Sequence, residues 1–194
     1  HKDVYMKATF LACSFAGITY VPIDESIPKE RVDLIINQVD PYIIIGDFES
    51  EICDNISKNQ ICELMNNDKY NEINQIYLNV NDVYYIIFTS GSTGIPKGVK
   101  VTYNNLNSCI NWLKKIINPQ DEIILNQANF SFDLSVADLY LSLVSGNEHV
   151  VLENNDKFEE YKENEQLKQK YGFNKLLIFS IVEICCCNQI FGLL

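Results

Sequence analysis

The feature that most constrains this chain is an apolar run, Val83 to Phe88, that feeds directly into a ten-residue loop of unusual chemistry. The run reads as a buried strand from its β-branched and aromatic content. The loop, Thr89-Ser90-Gly91-Ser92-Thr93-Gly94-Ile95-Pro96-Lys97-Gly98, holds three glycines, four hydroxyl residues and one lysine. Glycine permits positive φ and close backbone approach, so successive N–H groups can turn toward an anion. Hydroxyls donate to phosphate oxygens or reach a phosphate-bound Mg²⁺, and Lys97 adds a mobile positive charge. The loop is not of the Walker A type, which needs Gly-Lys followed by Ser or Thr at a helix start. Here Pro96 precedes the lysine, Gly98 follows it, and Val99-Lys100-Val101 continues as an extended segment. A plain Gly/Ser-rich turn between strands is the alternative. A turn alone does not require this order of hydroxyls, glycines, proline and lysine.

Around this loop, short apolar runs alternate with helical patterns. Asp3 can cap a helix through Tyr5, Met6, Phe10, Leu11 and Phe15, closed by Gly17. Ile18 to Ile23 reads as a strand, and Ser26 and Pro28 open a second helix with Val32, Leu34, Ile35, Ile36 and Val39 as apolar positions. Pro41 to Gly46 reads as another strand. Residues 47 to 82 are polar, with a short helix near Ile61 to Met65. Beyond the loop, Thr102 caps a helix carrying Leu106, Cys109, Ile110, Leu113 and Ile116-Ile117. Glu122 to Leu125 is a strand, Leu134 to Val144 a helix ended by Gly146, and Glu148 to Leu152 a further strand. Strand–helix–strand order with near-continuous apolar strands implies an α/β fold, a layered and mostly parallel sheet with flanking helices. Residues 153 to 171 are charged and helical in pattern, and 174 to 194 are apolar and cysteine-rich.

Composition narrows the function. The chain has 194 residues, enough for one domain with a real core or part of a larger one, with 47% hydrophobic and 21% charged residues. A net charge of −11 with no basic stripe argues against nucleic acid or an anionic membrane surface as partner. No stretch reaches the ~18 consecutive apolar residues of a membrane span. The start, His1-Lys2-Asp3, leads into an amphipathic segment without a signal-peptide pattern. Seven cysteines and two histidines, lacking paired CxxC motifs, give poor support for zinc; reduced thiols in a cytoplasmic protein are expected.

The segment Thr89 to Gly98 resembles the phosphate loop of the adenylate-forming, or AMP-binding, superfamily. That superfamily includes acyl-CoA synthetases, luciferases, peptide synthetase adenylation domains and D-alanine–carrier-protein ligases. Two further segments agree. Ala16-Gly17-Ile18-Thr19-Tyr20-Val21-Pro22-Ile23-Asp24 is similar to the family's structural "AGxxYVPxD" stretch. Asn126 to Val136, containing Phe132-Asp133-Leu134-Ser135, is similar to its "FDxS" segment. Within the superfamily, this segment followed by Asp138-Leu139-Tyr140 most resembles the D-alanine–D-alanyl carrier protein ligases.

The resemblance implies the large N-terminal domain of such a ligase, with residues 1–155 as its partial AMP-binding domain. Residues 156–194 would be a weakly similar continuation, truncated or disrupted. It assigns the ATP phosphates to Thr89, Ser90, Gly91, Ser92, Thr93, Gly94 and Lys97, with ATP and Mg²⁺ as cofactors. It assigns the α-ammonium of a small amino acid, D-alanine favoured, to Asp133; an N-cap ahead of Leu134 is the structural alternative for that residue. A phosphopantetheinyl carrier protein would receive the activated amino acid, in the service of teichoic-acid D-alanylation. The family's "YGPTE" stretch, its ribose-binding segment and its catalytic lysine have no counterpart here, so no catalytic residue is assigned and a poorly active fragment is expected. The other expectations are a non-catalytic nucleotide- or polyphosphate-binding remnant, or a piece of a peptide synthetase adenylation domain.

Overall fold

A computed structural model of the chain describes residues 4–48, 51–66, 76–89, 94–120, 123–126 and 128–152. Expectations for Asp3, Ser90 to Thr93 and everything beyond residue 152 lie outside the described residues. The chain divides near Lys100 into two compact units.

In the first unit, α1 (Val4–Ala16) ends where Gly17 takes φ +67°, the left-handed conformation that stops a helix. Space matters there too, because an added Cβ would lie 2.8 Å from Ile76 Cγ2. The expected strand from Ile18 to Ile23 reduces to a single parallel bridge between Tyr20 and Tyr85. Tyr20 donates its N–H to Tyr84 O (3.4 Å) and accepts from Ile86 N (3.0 Å). Pro22 has no N–H to continue the ladder, and Asp24 turns the chain by accepting from Ser26 N at 3.0 Å.

Helix α2 (Lys29–Val39) starts after Pro28, which serves as N-cap through its backbone alone, and buries Val32, Ile35 and Ile36. The expected strand at Pro41–Gly46 shrinks to β1 (Ile44–Ile45). It pairs in parallel with β2 (Asn55–Ile56), which sits inside the polar stretch and carries no strand pattern of its own. Two ladder bonds, Ile44 N to Asp54 O (3.0 Å) and Gly46 N to Ile56 O (2.8 Å), place it there. Ser57 and Gln60 form a reciprocal capping box that starts α3 (Lys58–Met65). The long strand β3 (Val83–Thr89) shares a two-stranded sheet with β4 (Lys97–Thr102).

The second unit is a βαβ arrangement with one extra helix. Thr102 and Asn105 form a capping box at the head of α4 (Tyr103–Ile117), which buries Leu106, Ile110 and Leu113. Strand β5 (Ile123–Asn126) is fully buried and pairs in parallel with β6 (Glu148–Val151) in register from Ile123↔Glu148 to Asn126↔Val151. The crossover between them is α5 (Asp133–Ser145), which packs on α4, β5 and β6. Eight consecutive residues of α5, Ser135 to Ser142, are buried, so this helix is enclosed on every side rather than amphipathic. Gly146 ends it at φ +71°. The α/β class and its parallel pairing agree with the sequence reading.

Candidate nucleotide and amino-acid site

Strand β3 is packed by aromatic side chains. Tyr84, Tyr85 and Ile87 are buried, and Tyr20 stacks on Phe10 with centroids 4.4 Å apart and on Tyr85 at 5.7 Å. Its ring meets Tyr84 edge-on at 6.1 Å. Thr19 Oγ1 adds a hydrogen bond to Val83 O (2.7 Å). The Ala16–Asp24 segment therefore braces the strand that presents the loop, a structural role that matches its family reading.

Three of the expected phosphate-loop residues are described, and they stand at the mouth of the loop. Thr89 ends β3 exposed, and its hydroxyl donates to Lys97 O at 3.4 Å, long enough to be given up readily to a better acceptor. Gly94 takes φ +79° with nothing among the described residues within 4 Å of an added Cβ, so backbone conformation selects glycine there. Lys97 begins β4 with its side chain exposed, behind buried Pro96. At Gly98 the constraint is space: an added Cβ would meet Ile86 Cγ2 and Phe88 Cζ, each at 3.0 Å. The loop joins two strands, as the sequence implies, and no helix follows it directly. Ser90, Gly91, Ser92 and Thr93 lie outside the described residues.

In the second unit, Asp133 is the first residue of α5 and is exposed. It is not the N-cap that the alternative reading makes it. Phe132 holds that position in extended conformation, without a side-chain cap bond. The local turn is closed from elsewhere: Phe132 N donates to Asn129 O (2.9 Å), and Ser135 N and Oγ both donate to Phe132 O (3.2 and 2.7 Å). Fully buried Phe130 anchors the turn. The FDxS serine thus spends its hydroxyl on the turn, and the aspartate is left open to solvent at the positive end of the helix, where a carboxylate is favoured.

One residue to which the motif reading gave no role of its own is Asp138. It lies in α5 at 3% exposure, and its Oδ2 accepts from Asn126 Nδ2 of β5 at 3.3 Å. Burial pushes its carboxyl up from 3.8 to about 8, with the Asn126 hydrogen bond opposing that shift. The sequence signal was available: Asp138 interrupts the apolar series Val136-Ala137-Leu139-Tyr140-Leu141. Among the cysteines, Cys13, Cys53 and Cys62 are free thiols, and burial raises the Cys13 thiol, which disfavours its reactive thiolate. Among the described residues no group of three or more His, Cys, Asp or Glu side chains is placed to hold a metal. Nor is any helix there long and apolar enough to cross a membrane.

The D-alanine–D-alanyl carrier protein ligase of Bacillus cereus is 40% identical over 152 residues, covering 75% of this chain and 30% of that protein. The Listeria monocytogenes ligase of the same name is 38% identical over 162 residues, covering 79% and 32%. The chain thus spans about a third of the length of these curated relatives. Among solved structures, o-succinylbenzoate CoA synthetase from Bacillus subtilis, in complex with its acyl-adenylate intermediate, superposes with a TM-score of 0.75 at 15% identity. That match covers 97% of this chain and 50% of the synthetase. ATP-bound MatB from Rhodopseudomonas palustris matches with a TM-score of 0.72 at 17% identity, over 83% of this chain and 35% of MatB. These two likenesses concern the fold. The family model of AMP-binding enzymes matches residues 3–175, and the chain belongs to the AMP-binding enzyme family.

Proposed function

We propose that this chain is the nucleotide-holding part of a ligase that activates a small amino acid, D-alanine favoured, and passes it to a carrier protein. The observation that carries the reading is the strand–loop–strand mouth, in which Thr89 ends the braced β3, Lys97 begins β4 and left-handed Gly94 lies in the loop between them. An exposed hydroxyl, a left-handed glycine and an exposed ammonium suit a polyphosphate, and Ser90, Gly91, Ser92 and Thr93 extend the same donor set by sequence. Mg²⁺ would arrive with the phosphates and share their oxygens with loop hydroxyls. Exposed Asp133 would receive the substrate's α-ammonium. The substrate carboxylate then attacks the α-phosphorus of ATP, forming aminoacyl-AMP and releasing pyrophosphate. A pantetheine thiol of the carrier next displaces AMP to form a thioester. Positioning and charge stabilisation of the phosphates supply most of the help such a transfer needs. Residues 1–155 form the partial AMP-binding domain in this reading, 156–194 its continuation, and the cytoplasm is the compartment that supplies ATP.

The identity of about 40% to D-alanine–D-alanyl carrier protein ligases supports D-alanine over other amino acids. Titration calorimetry with Mg-ATP tests the nucleotide reading. Binding should weaken on the order of tenfold in Lys97→Ala, as expected for loss of a charged hydrogen bond. An affinity for Mg-ATP that is unmoved by Lys97→Ala would remove the loop from the account. D-Alanine binding lost in Asp133→Ala but kept in Asp133→Glu would support the ammonium role, and unaltered binding in both would refute it.

A further inference from the structure

The buried contact between β5 and α5 has a shortage of protons. Asn126 Nδ2 donates to Asp138 Oδ2 at 3.3 Å, yet Asn126 Oδ1 and Asp138 Oδ1 are both buried without any hydrogen-bond partner. Both residues are nearly or wholly excluded from solvent, at 0% and 3% exposure. An ionised carboxylate and a carboxamide oxygen are both acceptors, and two acceptors cannot satisfy one another. Exchanging the amide's nitrogen and oxygen does not help, because the oxygen would then face Asp138 Oδ2 and the NH₂ group would be orphaned. One added proton resolves the deficit. We propose that Asp138 and Asn126 form a neutral acid–amide pair, in which the acid O–H donates to Asn126 Oδ1 while Asn126 Nδ2 donates to Asp138 Oδ2, so that the anchorage of α5 on β5 depends on a single proton.

The surroundings contribute little that could ionise the acid. The titratable side chains on the elements packed against α5 are Tyr103, Cys109, Lys114 and Lys115 of α4 and Glu148 and His149 of β6, while β5 has none. On α5 itself they are Asp133 and Tyr140. None of these is a cause of the upward shift of Asp138, which comes from burial and is opposed only by Asn126. The pair joins the end of β5 to the second turn of the helix that opens with Asp133. Deprotonation therefore places an uncompensated charge beside that anchorage and loosens the helix.

The test uses the 194-residue chain with ¹³C-carboxyl-labelled aspartate. One carboxyl carbon should stay protonated at pH 6, titrate in the alkaline range, and vanish from the spectrum in Asp138→Asn. Hydrogen exchange of the α5 amides should then separate the two proteins. Wild-type protection should fall relative to Asp138→Asn as the pH rises from 6 to about 8 and level off above it. All carboxyl carbons titrating in the ordinary acidic range would overturn the proposal, a result the wild type delivers even if the variant fails to fold. So would α5 protection that stays in constant ratio between the two proteins from pH 6 to 9. No nucleotide or amino acid enters either measurement, so failure here is distinct from failure of the ligase reading.

Discussion

Replacing Asp138 by Asn should change how this protein's stability depends on pH more than it changes stability at low pH. In the folded state the Asp138 carboxyl is pushed up to about 8 by burial, against an ordinary value of 3.8. Below the ordinary value both folded and unfolded chains hold the proton, and the residue imposes no pH dependence. Between the two values the folded chain holds a proton that the unfolded chain has lost, so stability falls as pH rises. Above about 8 both states are ionised and the loss is complete. Within that window the slope is ~1.4 kcal/mol per pH unit, since one pKa unit corresponds to that free energy. Asn is neutral at every pH and has no such slope, while its NH₂ can still donate to Asn126 Oδ1. The wild type should therefore lose about 3 kcal/mol relative to Asp138→Asn between pH 5 and pH 7. Urea unfolding followed by the fluorescence of Trp112, on neighbouring α4, reads this directly. With a slope of about 2 kcal/mol per molar urea, the midpoint difference between the proteins should change by roughly 1.5 M over those two pH units. A midpoint difference that stays constant from pH 5 to pH 8 would refute the argument.

The other predictions concern the loop and the elements that hold it. Gly94→Ala should cost about 1–2 kcal/mol from the left-handed backbone, because the added methyl meets nothing among the described residues. Gly94→Asn should cost less, and equal unfolding midpoints for all three proteins would contradict the conformational reading. Thr102→Ala should lose about 1 kcal/mol with the capping box, whose Thr102 Oγ1 accepts from Asn105 N at 3.2 Å. Thr102→Ser should restore most of it, as unfolding curves would show, and a Thr102→Ala curve matching wild type would deny the cap any weight. Tyr20→Ala removes the stack on Phe10 and Tyr85 and should cost about 3–5 kcal/mol. Since that packing braces β3, Mg-ATP affinity should fall with it, and a Tyr20→Ala protein of unchanged affinity would show the brace to be irrelevant to the loop. D-Alanine-dependent exchange of labelled pyrophosphate into ATP should stay near background with the 194-residue chain. A robust exchange rate would show that these residues suffice for adenylation.

What the sequence determined by itself is whatever local chemistry enforces. Val83–Thr89 is a strand because its β-branched and aromatic residues permit little else, and Gly94, Pro96 and Gly98 prescribe the loop that follows. Thr102 and Asn105 announce α4, and Gly17 and Gly146 end their helices, all through bonds or dihedrals within a few residues. The segments that misled the reading depend on partners distant in the chain. Ile18–Ile23 has strand composition but, among the described residues, forms a ladder bridge only at Tyr20, whereas polar Asn55–Ile56 becomes a strand because β1 supplies its ladder. Asp133 falls one residue past the N-cap because Asn129 and Ser135 close the turn on Phe132. The charge state of Asp138 is the clearest decision of tertiary structure. An aspartate in a helix is ordinarily ionised, and only enclosure by α4, β5 and β6, with a single carboxamide for company, makes its proton worth keeping.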